Sequence, residues 1–306
     1  MRYIISALLA SALATAASAE VPRVVTDIPP VQSLVEMVMG DLGEPVMLLD
    51  KGANAHDFQL KPSQVGALAD AQLVVWIGPE MTPWLDRALE GTSGGAAQLV
   101  LLDQPGTHTR SFVDMDDDHG DADTVDEDGH QHTGRDPHAW LDPSNAELWL
   151  GRIAGQLAVL DPENAATYSA NANASAQKIA ELDARLKQEL APIAGKPFVV
   201  FHDAYGYLAK HYALTLTGTI AAGDAAPPGV AHLRAIQASI GAAKGLCLFP
   251  EVRHDPKLIE TMAADTGARQ GGPLDPEGAG GEVTAETYPA ILTGMAATLT
   301  ACLATP

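Results

Sequence analysis

The chain has 306 residues, 39 acidic against 18 basic, for a formal charge of −21 at pH 7. So acidic a balance excludes nucleic acid as a partner, because phosphate binding needs a basic face. The length exceeds what a single hydrophobic core usually supports, so two lobes are expected.

Residues 1–19 read as a secretory signal. Arg2 supplies the positive start, Tyr3 to Thr15 is mostly apolar, and Ala17-Ser18-Ala19 forms a small-residue cleavage site before Glu20. A membrane span needs about 20 apolar residues with suitable flanks, and this run is shorter. No Cys near the cleavage site can take a lipid, and no other segment is long and apolar enough to cross a bilayer. The exported product, residues 20–306, is therefore expected to be soluble and not membrane-embedded.

Val21 to Ile28 is β-branched and apolar, which predicts a strand, and Pro29-Pro30 opens a helix whose Val31, Leu34, Val35 and Val38 repeat with helical period up to Gly40. Glu44 to Leu49 predicts a second strand. A polar loop from Lys51 to Phe58 then holds His56. Pro62 starts a helix, Leu73 to Ile77 is a buried strand, Pro83 to Glu90 is helical, and Gln98 to Leu102 is the fourth strand. Alternating strands and helices imply parallel pairing, since a crossover helix joins parallel neighbours.

The segment Thr107 to Asp136 breaks the pattern with ten acidic residues, two basic ones, four histidines (His108, His119, His130, His132) and hardly any apolar side chains. Such a stretch cannot bury enough surface to order itself and reads as a long surface loop. Asp114, Asp116 and Asp118 alternate like the start of a calcium loop, but His119 and Val125 stand where an EF-hand needs Gly and Glu. A solvated charge run explains the aspartates. Weak zinc capture by His119, His130 and His132 explains the histidines better.

Asp136-Pro137-His138-Ala139-Trp140-Leu141-Asp142-Pro143 follows, presenting His138 on a segment held by two prolines. Asp142 is placed to cap a helix with Pro143 at its first position. Asp161-Pro162-Glu163 repeats that signal. From there to Leu190 the chain is rich in Ala, Glu, Gln, Lys and Leu without further Gly or Pro, predicting a helix on the order of 40 Å long. That helix reads as the connection between lobes.

The alternation then resumes. Phe198 to Phe201 is a strand ending at His202, Ala204 to Tyr212 a helix, Leu214 to Ile220 a strand, and Val230 to Ala243 a helix. Leu246 to Phe249 is a buried strand, Asp255-Pro256 starts a helix, Ala268 to Leu274 is a weak strand leading to Asp275, and Thr284 to Leu303 is the last helix. The expected architecture is α/β: two lobes, each a parallel four-stranded sheet flanked by helices, covering residues 20–160 and 191–306 and joined by one long helix over 161–190. Cys247 and Cys302, the only cysteines, predict a disulfide in an exported chain, stapling the last helix to a core strand.

In open parallel sheets, ligands gather beyond the carboxyl ends of the strands. His56 follows the second strand, His138 the loop after the fourth, His202 the first strand of the second half, and Asp275 the last. Three imidazoles and a carboxylate form a four-coordinate set that suits Zn²⁺. Taken singly each is weak, for most loop histidines are merely solvated. The aspartates of the Asp-Pro pairs at 142, 161 and 255 read as helix caps. Asp275 differs, because Glu277-Gly278-Ala279-Gly280-Gly281 follows and cannot continue as a stable helix. His211 and His232 read as packed surface residues, while His254, near Glu251, is placed to border the cleft.

Gly52-Ala53-Asn54-Ala55-His56-Asp57-Phe58, Lys61-Pro62-Ser63, Ala69-Asp70-Ala71 and the run Val74 to Met81 resemble the N-terminal lobe of periplasmic zinc-binding proteins of ABC uptake transporters. His138 to Pro143, Phe201-His202-Asp203-Ala204-Tyr205-Gly206-Tyr207 and Leu274-Asp275-Pro276-Glu277-Gly278 are similar to the family's later motifs, in the same order. The resemblance implies metal at the lobe interface on His56, His138, His202 and Asp275, a charged His-rich loop in the first lobe, and delivery to an inner-membrane ABC permease. A monomer without enzymatic activity is implied too, with a periplasmic zinc chaperone as a further partner. His at 202, where manganese-binding relatives generally have Glu, points to zinc. Some zinc members carry Glu immediately before the first ligand; Ala55 stands there, so the fourth position falls to Asp275 or water. Two alternatives stand beside this reading: a zinc-dependent hydrolase, which would keep three ligands and a water but here lacks a His-Glu-x-x-His helix, and a manganese or iron carrier of the same fold.

Overall fold

The computed structural model describes residues 20–91, 95–112, 134–221, 229–242 and 245–305. The expected signal, 1–19, and the loop candidates His119, His130 and His132 lie outside them. The first sheet contains β1 (Val24–Thr26), β2 (Val46–Met47), β3 (Leu73–Trp76) and β4 (Ala97–Val100), in the order β2-β1-β3-β4 and parallel throughout. Around it lie α1 (Pro29–Met39), α2 (Pro62–Asp70), α3 (Pro83–Gly91) and α4 (Pro143–Leu160). All four helices begin on proline, which costs nothing at a position whose amide has no partner within the helix. Asp142 caps α4 as expected, accepting the Ser144 amide at 2.9 Å.

The second half repeats the plan. β5 (Pro197–Val200), β6 (Thr215–Thr219), β7 (Cys247–Phe249) and β8 (Arg269–Gln270) pair in parallel in the order β6-β5-β7-β8. With them go α6 (Gly206–His211), α7 (Val230–Ala242), α8 (Lys257–Thr266) and α9 (Thr287–Leu303). In each sheet the first strand lies between the second and third. The connections therefore leave in opposite directions there, opening a crevice at the carboxyl ends. The edge strands β2 and β8 are shorter than the sequence predicts. Pro45 has no amide to pair before β2, and Gly271-Gly272-Pro273 interrupts β8.

Between the two halves a 3-10 turn, Pro162–Asn164, leads into α5 (Ala165–Leu190). The buried face of α5 carries Tyr168, Ala172, Ile179, Leu182, Leu186 and Leu190 at helical spacing, packed on α4, α1 and α9. This long helix is not the only tie. Helix α9 also packs on α1, where Ser33 Oγ donates to the Ala285 carbonyl and accepts the Tyr288 amide. One apolar core runs from Val24 through α5 to Leu303. A hinge opening would have to expose part of it, at about 25 cal/mol per Å² of apolar surface. The predicted disulfide is present and ties β7 to α9.

The ends of the acidic segment depart from the expectation of a wholly solvated loop. Ser111 and Arg135 form an antiparallel bridge, and Asp136 is fully buried. Arg110 and Arg135 are the reason. Arg110 neutralises Asp136 at 2.7 Å, and Arg135 pairs with Glu80 and Asp103 at 2.6 and 2.8 Å.

Candidate metal centre

His138 is fully buried, in the turn between Asp136 and α4. Pro137 restricts the turn, and Asp136 Oδ1 holds both ends of the residue, accepting the His138 amide at 3.0 Å and meeting ring Nδ1 at 2.8 Å. Trp140 sits beneath with its ring centre 5.3 Å away; its Nε1 donates to the Pro276 carbonyl in the other half. Tyr207 adds a second crossing, its hydroxyl accepting the Arg110 amide and donating to the Asp136 carbonyl.

His202 stands two residues beyond the end of β5, and Glu251 two residues beyond β7. Since Val200 is paired with Phe249, the register sets the two side by side. Nδ1 of His202 meets Glu251 Oε2 at 2.5 Å, and Tyr205 Oη donates to the same oxygen at 2.9 Å. Burial, reinforced by the Glu251 charge, raises the Tyr205 pKa well above its ordinary value, so the hydroxyl stays a donor. His202, Tyr205, Gly206 and Tyr207 of the 202–207 motif thus each have a physical reason. Gly206 belongs to it because a Cβ there would lie 1.2 Å from the Arg110 guanidinium.

His56 comes from the loop after β2. Asn54 Oδ1 accepts the His56 amide, and Trp84 Nε1 holds the preceding carbonyl, that of Ala55, at 2.7 Å. The three rings meet between the halves: centres lie 5.5 Å apart for His56 and His138, and 5.4 Å for His138 and His202, tilted by 57° and 63°. Their Nε2 atoms are all buried. An ion about 2.0–2.1 Å from each nitrogen would lie about 3.2 Å from each ring centre, and a tetrahedral arrangement would space the centres about 5.2 Å apart. The observed spacings are close to that.

Asp275 is placed differently. Its Oδ1 accepts the Ala279 amide at 3.0 Å, and it lines a neighbouring cavity of about 360 Å³ along α9. The cavity of about 130 Å³ that holds His56 and His202 is lined instead by Glu251, Arg253, His254 and Glu277. His254 borders the cleft, as expected. Arg253 spans it, donating to the Ala53 carbonyl of the His56 loop and pairing with Glu277.

His211 is not the surface residue expected. It is partly buried and held between Asp142 and Asp183, at 2.9 and 2.8 Å. Burial by itself would lower its pKa, but hydrogen bonds to the two carboxylates outweigh that and raise it. His232 hydrogen-bonds the Thr219 carbonyl. Asp136, Glu251 and Arg110 are the supporting residues that the sequence reading passed over. The one local signal was Asp136, two residues before a candidate ligand.

A family model described as the zinc-uptake complex component A, periplasmic (ZnuA), matches residues 24–302. The chain belongs to the ZnuA family. The high-affinity zinc uptake system protein ZnuA of Paracoccus denitrificans (strain Pd 1222) is 47% identical over 333 residues, with 97% of this chain and 98% of that protein covered. A ZnuA crystal structure aligns with TM-score 0.73 and 25% identity, covering 92% of this chain and 99% of that one. The Pseudomonas aeruginosa solute-binding protein FpvC, solved with Mn²⁺, aligns with TM-score 0.79 over 93% of this chain and 99% of that one. At 21% identity it shows the fold alone. Among the described residues of this ZnuA family member no helix is long and apolar enough to cross a membrane.

Proposed function

We propose that this chain takes up Zn²⁺ between its halves on Nε2 of His56, His138 and His202, with Asp275 or water in the fourth position, and passes the ion to an inner-membrane ABC permease. The chain is the periplasmic zinc-binding component of a zinc ABC importer. Its cargo site is the finer part of the proposal. The observation that carries it is the meeting of buried imidazoles from both halves, two of them backed by a carboxylate on Nδ1. A carboxylate in that position places the ring proton on Nδ1 and turns the Nε2 lone pair towards the ion.

For Asp275 to take the fourth position its carboxylate must turn from the Ala279 amide towards the rings; otherwise water takes it. The lobe boundaries, 20–160 and 191–306 with 161–190 between them, belong to the same proposal, as do cleavage after Ala19, a monomeric state and a zinc chaperone as second partner. A hydrolase reading has no support from the ZnuA relatives, which are named as zinc uptake proteins. Three nitrogen donors favour zinc over manganese, and competition at equal free-metal activity separates the two.

Zinc titration against a competing chelator tests the site in the wild type and in His56→Ala, His138→Ala, His202→Ala and Asp275→Ala. Each imidazole loss is expected to weaken binding beyond the roughly 100-fold that supporting residues reach, and the Asp275 change to do less. Wild-type affinity in all three histidine variants would overturn the site.

A further inference from the structure

His254 belongs to none of the motifs that carry the family resemblance, yet it faces the same cavity. Its side chain is 32% exposed, against 4% for His202, so it stands at the solvent edge. Phe201 holds it in place, the two rings 4.2 Å apart and tilted by only 30°.

Glu251 links the two histidines. Oε2 faces inward, to His202 Nδ1 and the Tyr205 hydroxyl, while Oε1 faces outward, 3.6 Å from His254 Nε2. Donor atoms of His202, Glu251 and His254 all lie within 4.8 Å of one another. Two donors on one zinc ion, each about 2.0–2.2 Å away at a tetrahedral angle, stand about 3.4 Å apart. The outward pair is thus spaced as ligands are, and it is longer than a good hydrogen bond.

The positive charge nearest this cluster is already neutralised. Arg253, whose backbone lies in the left-handed region at φ 76°, sends its guanidinium to Glu277 at 2.5 Å and to the Ala53 carbonyl. A cation beside Glu251 therefore meets a carboxylate and two imidazoles with the guanidinium paired elsewhere.

We propose that His254 and Glu251, sharing His202, form an outer Zn²⁺ station through which the ion enters and leaves the three-imidazole site. The proposal rests on the reading that His56, His138 and His202 hold the tight ion. His202 belongs to both stations, Nδ1 facing Glu251 and Nε2 the inner rings. An ion moving inward exchanges its waters for protein donors in steps instead of all at once. Such a station lowers the barrier in both directions and leaves the end states alone.

The experiment is stopped-flow zinc binding, and zinc release to excess chelator, on the full mature chain and on His254→Phe, which keeps an aromatic ring against Phe201. Both rates are expected to fall about tenfold, the effect of about 1.4 kcal/mol added to the barrier, with the equilibrium constant unchanged. In His138→Ala the remaining weak zinc binding is expected to vanish when His254→Phe is added. Unchanged rates in His254→Phe overturn the station. So does a loss of equilibrium affinity as large as that of His138→Ala, which would make His254 a ligand of the tight site. Should His138→Ala bind as tightly as wild type, the three-imidazole reading fails instead, a result separate from either outcome at His254.

Discussion

His138 and His202 face each other across the cleft, each with Nδ1 on a buried carboxylate, but the two carboxylates arrive by different routes. Asp136 is two residues from its histidine and also neutralises Arg110. Glu251 is 49 residues from its own, just beyond the end of the neighbouring strand in the sheet, and shares its inner oxygen with Tyr205. One pair is made by a turn, the other by strand register. The first half thus couples ligand support to a buried ion pair and hence to stability, while the second couples it to sheet assembly and to the disulfide on β7.

That contrast is open to disruption, starting with the largest effect. Replacing Cys247 and Cys302 by Ser should lower stability by about 4 kcal/mol in the chain-entropy account of a 55-residue loop. Urea unfolding measures it, and hydrogen exchange should show the loosening on β7 and α9 ahead of the His138 turn.

Arg110→Ala acts on the other half. It leaves the fully buried Asp136 without its guanidinium, for an expected loss of about 3 kcal/mol. Denaturant unfolding at neutral pH checks this; a loss under 1 kcal/mol would mean that the ion pair contributes little to the fold.

Asp136→Asn and Glu251→Gln should each weaken zinc binding by about 10- to 100-fold. The first should destabilise the metal-free protein more, because Asp136 also neutralises the Arg110 guanidinium, whereas the further partners of Glu251 are the Tyr205 hydroxyl and His254. Zinc titration and thermal unfolding of both variants, run side by side, separate the two roles.

The smallest effect comes from His211, a histidine held by two carboxylates outside the cleft. Its raised pKa contributes stability that is complete below the ordinary imidazole range, about pH 6.5, and is lost as pH rises through the folded value. The Asp142 pKa moves the other way. Burial would raise it, but the hydrogen bonds to His211 and His108 outweigh that and lower it, so its share is lost only as strong acid protonates it. His211→Asn should therefore cost on the order of 1 kcal/mol at pH 6 and less at pH 9. Stability curves at the two values give the difference.

Much of this arrangement is written locally. Strand and helix alternate because β-branched runs and proline-started amphipathic segments follow one another, and these signals act over a few residues. The cap at Asp142, the proline-held turn of His138 and the disulfide between two sole cysteines follow from short-range chemistry and simple counting. The three histidine candidates stood out because they follow strands or the loop after one and lie in motifs that resemble the family's, although no local rule told them apart from solvated histidines.

What only the tertiary structure decided is which distant groups became neighbours. Glu251 reads as one acidic residue among many until the β5–β7 register sets it beside His202. Asp136 looks like one more charge in an acidic loop until Arg110 and Tyr207 bury it, and His211 like a surface residue until α4 and α5 supply carboxylates on both sides. Sequence patterns report the period with which side chains face a core. The partners of a buried charge depend on strand register and helix packing between remote segments, which no local pattern encodes.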